Sequence, residues 1–209
     1  EKLVQGWYLN DAKKRLLKNP DLIRIGITGS FGKTSTKYAL GTLLAEKNNT
    51  LFTPGSFNTP MGVTRVIREQ LTDDHQVFIA EMGARYKGDI AELCRLVKPR
   101  YGIITAVGKQ HLETFGSLEN VIRTKAELMA GLTEDGVCFL NGDDPICREI
   151  YEGYDIPGKK YLFGTEGEGL YMRAEHISVG PEGSRFELAA ADGGRIPCAT
   201  ALLGRHNIL

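Results

Sequence analysis

The run Gly26-Ile-Thr-Gly-Ser-Phe-Gly-Lys-Thr-Ser35 sets closely spaced glycines against a lysine that two hydroxyl residues follow. Glycines let successive N–H groups turn toward an anion, and a helix N-terminus adds the positive end of its dipole. A lysine then reaches the β/γ-phosphates of a nucleotide, and the next hydroxyl can ligate Mg²⁺. Gly29, Ser30, Gly32, Lys33, Thr34 and Ser35 are therefore candidate nucleotide-binding residues. The run departs from the common G-x-x-x-x-G-K-[ST] form, because Ile27 stands where the first glycine would be. The other reading, a Gly-rich strand-to-helix turn with a solvated lysine, is disfavoured by its flanks: apolar Leu22 to Thr28 before it and an amphipathic stretch after it.

In an open α/β sheet a nucleotide lies beyond the carboxyl ends of the strands, so polar residues at strand tips are tested there. Glu81 follows Val77-Phe-Ile-Ala80 and precedes Met82-Gly83, a placement suited to a carboxylate that binds Mg²⁺. His111 follows a strand pattern in Thr105-Ala-Val-Gly-Lys-Gln-His, with a structural and a functional role equally open. Asn141-Gly-Asp-Asp144 could contact nucleotide or metal, but the same residues are ordinary turn chemistry, and the turn is favoured. In Thr53-Pro-Gly-Ser-Phe-Asn-Thr-Pro60, Asn58 is the candidate contact, and a local cap is the alternative. Lys125 is the least ordinary residue. At about 100° per residue it falls within the apolar stripe of Leu118, Val121, Ile122, Leu128, Met129 and Leu132, about 20° from Leu118. Glu119, Arg123 and Glu127 take the opposite face. An inward lysine must snorkel, find an anion or lose its charge, and a neutral amine can react with CO₂ to give a carbamate.

These residues need elements to hold them. The pattern predicts a basic helix over 6–18, a strand over Leu22 to Thr28, and a helix from Lys33 to Lys47 with Ala39, Leu40, Leu43 and Leu44 on one face. Strands follow at Thr50 to Phe52, Gln76 to Met82, Tyr101 to Val107 and Val137 to Asn141. Helices are predicted over Asp89 to Val97, Ser117 to Leu132 and Ile146 to Tyr151. Continuous apolar strands alternating with amphipathic helices imply an α/β fold, a mostly parallel sheet with helices on both faces. After Tyr161 short alternating runs near Leu170 to Ala174, Ile177 to Val179, Arg185 to Leu188 and Arg195 to Ala199 read as a small antiparallel appendage.

The 209 residues carry 26 Lys plus Arg against 26 Asp plus Glu. The resulting zero net charge lacks the basic footprint of a nucleic-acid binder. No apolar run is long enough to span a bilayer. Cys94, Cys138, Cys147 and Cys198 are widely spaced, without Cys-x-x-Cys, which argues against zinc and for buried thiols in a reducing cytoplasm.

Taken together, T-G-S-F-G-K-T-S (28–35), S-F-N-T-P-M-G (56–62), A-E-M-G-A-R (80–85), H-L-E-T-F-G-S-L-E-N-V-I-R-T-K-A-E (111–127), N-G-D-D (141–144) and G-R-H-N (204–207) resemble the Mur ligase family. Within it, E-M-G-A followed by G-D-I is most similar to the branch that adds D-Ala-D-Ala to a UDP-N-acetylmuramoyl tripeptide. The resemblance implies a P-loop NTPase-like central ATP-binding domain over 22–209, with 1–21 as an N-terminal helix and linker. The N-terminal substrate domain and the C-terminal domain would lie outside this stretch, leaving it inactive alone. It implies ATP and Mg²⁺ as cofactors, an acyl-phosphate intermediate, a monomer, and a cytoplasmic place in peptidoglycan-precursor synthesis. Lys33, His111 and Lys125 would be catalytic. Thr34 and Glu81 would hold one Mg²⁺, and His111 and Lys125 a second, Lys125 matching the family lysine that is often carbamylated. Asn207 would lie near the adenine. The alternatives are folylpolyglutamate synthase, which lacks the E-M-G-A-R stretch, a lipid-precursor amidating subunit, whose four-cysteine zinc ribbon is not matched, and a non-catalytic ATP-binding module.

Overall fold

Helix α1 (Lys2–Lys18) opens the computed structural model, which describes residues 2–109, 112–202, 204 and 208, the side chains of 2, 3 and 112 excepted. Strand β1 (Ile23–Thr28) leads into α2 (Lys33–Ala45), and β2 (Thr50–Phe52) into α3 (Pro60–Gln70). Next come β3 (Val77–Glu81) with α4 (Asp89–Val97), then β4 (Tyr101–Ile104) with the single turn α5 (Leu112–Phe115) and α6 (Leu118–Ala130). Strand β5 (Val137–Asn141) precedes α7 (Pro145–Gly153). The chain closes on β6 (Lys159–Gly164), β7 (Leu170–Gly180), β8 (Gly183–Ala190) and β9 (Arg195–Thr200).

The nine strands of the described residues form one sheet in the order β2-β3-β1-β4-β5-β6-β7-β8-β9. The pairs from β2 through β7 are parallel. Strand β1 thus sits between β3 and β4, where the connections turn from one side of the sheet to the other, the crevice in which open α/β sheets take ligands. One core lies between the sheet and α1, α3, α4, α6 and α7, built from Phe78, Ala80, Met82, Ile104 and Leu140 against Ala12, Leu16, Val63, Leu93, Leu128 and Ile150. A smaller core on the other face joins Ile25, Ile27, Val77 and Ile79 to Leu40, Leu44 and Phe52 beneath α2.

Helices α2 and α3 depart from the pattern reading, and the single turn α5 has no counterpart in it. Helix α3 was not foreseen, because the Pro/Gly loop was followed only to Pro60. That proline instead starts the helix at its first position, and Thr59 caps it by accepting from the Gly62 N–H at 3.2 Å. Val63, Val66 and Ile67 then turn inward, each worth about 1.5–3 kcal/mol when buried. Helix α2 turns a different face to the sheet than its leucines suggest. Lys37 and Gly41 are buried and Leu40 and Leu44 half-buried, while Ala39 is exposed and Leu43 is 71% exposed. Gly41 permits this, since a side chain there would meet the Phe52 ring at 2.7 Å.

The C-terminal appendage is continuous with the main sheet. Strand β6, which the alternating pattern did not reveal, joins β5 in parallel, and only its end overlaps the start of β7. That limited overlap, beginning at Leu162 opposite Leu170, lets the short link over 165–169 connect parallel strands that ordinarily need a long crossover. The two short runs expected over 170–179 are one strand, β7, with an irregularity between Glu175 and Ser178 where His176 has φ 52°. Strands β7, β8 and β9 pair antiparallel, as their alternation implies.

Candidate nucleotide site

The turn between β1 and α2 is held from β4. The Ser30 N–H donates to the Ala106 carbonyl at 2.6 Å, and the Ser30 hydroxyl both accepts from the Gly108 N–H at 3.0 Å and donates to its carbonyl at 3.2 Å. The Thr105 hydroxyl donates to the carbonyls of Thr28 and Phe31. Gly29, at φ 152°, lies so close to Thr105 that any side chain there would strike its Oγ1. Gly32 caps α2 in the left-handed region with no side-chain cap, leaving the helix's first N–H groups to an anion. Lys33 lies at this mouth, its ammonium donating to the carbonyls of Gly29 and Ser30 at 2.8 and 3.1 Å. Desolvation lowers its pKa, against the pull of Glu81. Thr34 and Ser35 are exposed on the first turn of α2.

Glu81, at the tip of β3, is 1% exposed and every part of it is held. Its Oε2 accepts from the Thr34 hydroxyl at 3.0 Å and from the Lys37 ammonium at 2.9 Å, and its Oε1 from the Asn58 amide at 3.0 Å. Its own N–H donates to the Thr53 hydroxyl at 3.1 Å. Burial pushes the Glu81 pKa up, but the hydrogen bonds from Lys37, Asn58 and Thr34 outweigh it and hold the carboxyl below its usual range. A charged carboxylate beside a hydroxyl is a pair of hard oxygen donors, the kind Mg²⁺ takes, so Thr34 and Glu81 fit such an ion. The loop 53–60 lies at this tip beside the edge strand β2, and the Asn58 side chain is directed at Glu81.

Lys125 is buried on α6, 4% exposed, with no hydrogen bond or ion pair among the described residues. Desolvation, and then the nearby Lys33 charge, lower its pKa to about 8, against weaker pulls from Glu127 and Asp89. Glu127, expected on the solvent face of α6, instead accepts from the N–H groups of Gly88 and Ala91 at 2.8 and 2.9 Å and so satisfies the start of α4. Glu119 and Arg123 do form an exposed pair.

The Asn141–Asp144 segment is turn chemistry. Asp144 caps α7 by accepting from Ile146 and Cys147 and also accepts from the Val107 N–H, while Asp143 accepts from Thr165 and Glu166. Asn141 closes the turn on the Asp143 N–H. His111 and Asn207 lie outside the described residues. Cys94, Cys138 and Cys147 are buried free thiols, whereas Cys198 is only half-buried on β9 because that strand forms the sheet's edge. Among the described residues no helix is long and apolar enough to cross a membrane.

A phosphate-type turn abutting a buried carboxylate, on a sheet of this order, has counterparts among known proteins. The family profile for the Mur ligase middle domain matches residues 27–209. The chain belongs to the Mur ligase family. It is 32% identical over 186 residues to the UDP-N-acetylmuramoyl-tripeptide–D-alanyl-D-alanine ligase of Escherichia coli (strain K12), which covers 88% of this chain and 40% of that protein. The corresponding ligase of Mycobacterium tuberculosis (strain H37Rv) is 43% identical over 122 residues, 58% of this chain and 24% of that one. Among solved structures, MurF from Acinetobacter baumannii superposes with a TM-score of 0.87 at 30% identity, over 98% of this chain and 44% of that one. MurF from Thermotoga maritima in complex with ADP gives 0.85 at 27% identity, over 98% and 46%. The chain spans less than half the length of each of these relatives.

For this Mur ligase middle domain, pattern reasoning missed Lys37, Thr53, Thr105 and the capping role of Glu127. Lys37 was within reach. Lys33, Lys37, Leu40, Gly41 and Leu44 recur at helical spacing, a second stripe on α2 that competes with the leucine stripe. The two threonines carried no signal, since a threonine at a strand end is commonplace and their partners lie far along the chain.

Proposed function

We propose that residues 22–209 are the central ATP-binding domain of a cytoplasmic, monomeric ligase of peptidoglycan-precursor synthesis, with 1–21 as its N-terminal helix and linker. The reaction joins D-Ala-D-Ala to a UDP-N-acetylmuramoyl tripeptide at the expense of ATP, with an acyl phosphate between the two half-reactions. The observation that carries this reading is the 3.0 Å contact between Thr34 and Glu81, which sets cation ligands directly against a phosphate cradle. The names of the similar ligases support the substrates, and the ADP complex of a similar MurF supports the nucleotide.

In this reading Gly29, Ser30, Gly32 and Ser35 shape the cradle, and the Lys33 ammonium leaves the Gly29 and Ser30 carbonyls for the β/γ-phosphates. Thr34 and Glu81 would hold one Mg²⁺, and His111 and Lys125, the latter as a carbamate, would hold a second. Asn58 serves the site by fixing Glu81, and Asn207 would serve the adenine. Mg²⁺ supplies neutralisation of the charge on the transferring phosphoryl group. The protein's own part is positioning, through a turn backbone braced by Thr105 and Ser30.

ADP release from ATP by the full-length protein tests the assignment. Stimulation that requires both the UDP-muramoyl tripeptide and D-Ala-D-Ala is expected, and no stimulation by either overturns it. Lys33→Ala should weaken ADP binding by about 100-fold with the fold intact.

A further inference from the structure

Lys37 is among the largest fully buried side chains of the described residues, at 0% exposure, and it is a lysine. It lies one helical turn beyond Lys33 on α2, facing the sheet rather than the phosphate mouth. Its ammonium donates to Glu81 Oε2 at 2.9 Å and to the Gly55 carbonyl at 2.6 Å, and it stands 5.0 Å from the centroid of the Tyr38 ring. Tyr38 closes the arrangement by accepting from the Gly55 N–H at 3.2 Å. Lys37 therefore grips β3 and the loop after β2 together, and it shares one carboxylate oxygen with Thr34.

A buried carboxylate at the edge of a phosphate cradle presents a physical difficulty. Uncompensated, it repels the incoming polyphosphate and disfavours its own charged form. A lysine is a compact point charge with three donors, able to neutralise one oxygen from behind while leaving its outer side to another group. We propose that Lys37 is a positioning residue that stands in for a divalent cation at Glu81, balancing the carboxylate and keeping it aimed at the Thr34 hydroxyl until a cation shares it. The inference rests on the reading of Thr34 and Glu81 as cation ligands. It assigns the site a neutral, preassembled state that does not depend on metal.

The test uses melting temperatures of the full-length protein with and without millimolar Mg²⁺ as the only added ligand. The native protein should melt at the same temperature in both. Lys37→Met should melt about 10 °C lower without the ion and regain a substantial part of that loss when Mg²⁺ is added. Lys37→Met combined with Glu81→Gln should recover most of the loss and show no response to Mg²⁺. A Lys37→Met protein that melts like the native one overturns the proposal. So does recovery by the second substitution without recovery by Mg²⁺, because Lys37 is then an ordinary ion-pair partner. Where Lys37→Met does not fold, the double variant is compared with Glu81→Gln alone, which strands the lysine and should be the less stable; the reverse order overturns the proposal. No nucleotide enters this series, so failure of ligase activity in the full-length assay leaves its outcome readable.

Discussion

Lys37 on α2 and Lys125 on α6 are both buried residues, at 0% and 4% exposure. Lys37 has a carboxylate, a carbonyl and a ring around its ammonium. Lys125 has no bonded partner among the described residues and feels Lys33 as a like charge, which adds to the desolvation that lowers its pKa. Both residues are buried, and what differs is whether the ammonium is paired. A buried charge that is paired helps build the fold, whereas one left unpaired is a strain that persists for a reason outside packing, and reactivity is such a reason.

The widest separation between the two should appear in stability. Against the loss expected for Lys37→Met, Lys125→Met should stabilise the protein, by about 1–3 kcal/mol at pH 7 in denaturant unfolding in CO₂-free buffer, since it removes a desolvated ammonium beside a like charge and keeps the apolar stem. A loss of stability there would erase the contrast.

The pH dependence sharpens it. Folded, Lys125 loses its proton near pH 8 and, unfolded, near the ordinary 10.5, so between these values the unfolded chain binds more protons. The stability penalty is complete below the first value, fades as pH rises, and is absent above the second. The advantage of Lys125→Met over the native protein should therefore shrink from pH 8 to 10.5 in CO₂-free buffer. The difference between the two proteins is the quantity to measure. Burial also pushes Cys94 up to about 12 and raises Cys138 and Cys147, so all variants lose stability above the ordinary thiol value of 9.0.

The smallest effect should come from the solvent side of α6. The Glu119–Arg123 pair is well exposed on both sides, and Glu119→Ala should change stability by no more than about 0.5 kcal/mol. A larger change would show that exposure does not separate the charges of α6 as supposed.

The glycine-rich turn between β1 and α2 was legible in the sequence because everything that defines it is local: glycines, a lysine and hydroxyls between an apolar strand and a helix. The inward direction of Lys125 was legible for the same reason, since helical period alone places it. Lys37 was not, because its partner Glu81 is 44 residues away and the leucines of α2 offered a rival stripe. Glu127 was misread because its acceptor role depends on the N-terminus of α4 lying 36 to 39 residues earlier in the chain. The four-residue identity of Asn141–Asp144 suited either a ligand or a turn, and only the placement of α7 and of residue 165 decided for the turn.

By itself the sequence determined the α/β class, the glycine-rich turn between β1 and α2 and the inward direction of the α6 lysine, since each follows from spacing along a short stretch of chain. Only the tertiary structure decided which charges meet. The parallel order that sets β3 beside β1 carries Glu81 to Thr34 and Lys37, and pairing across such distances is fixed by the packing of whole elements rather than by any local pattern.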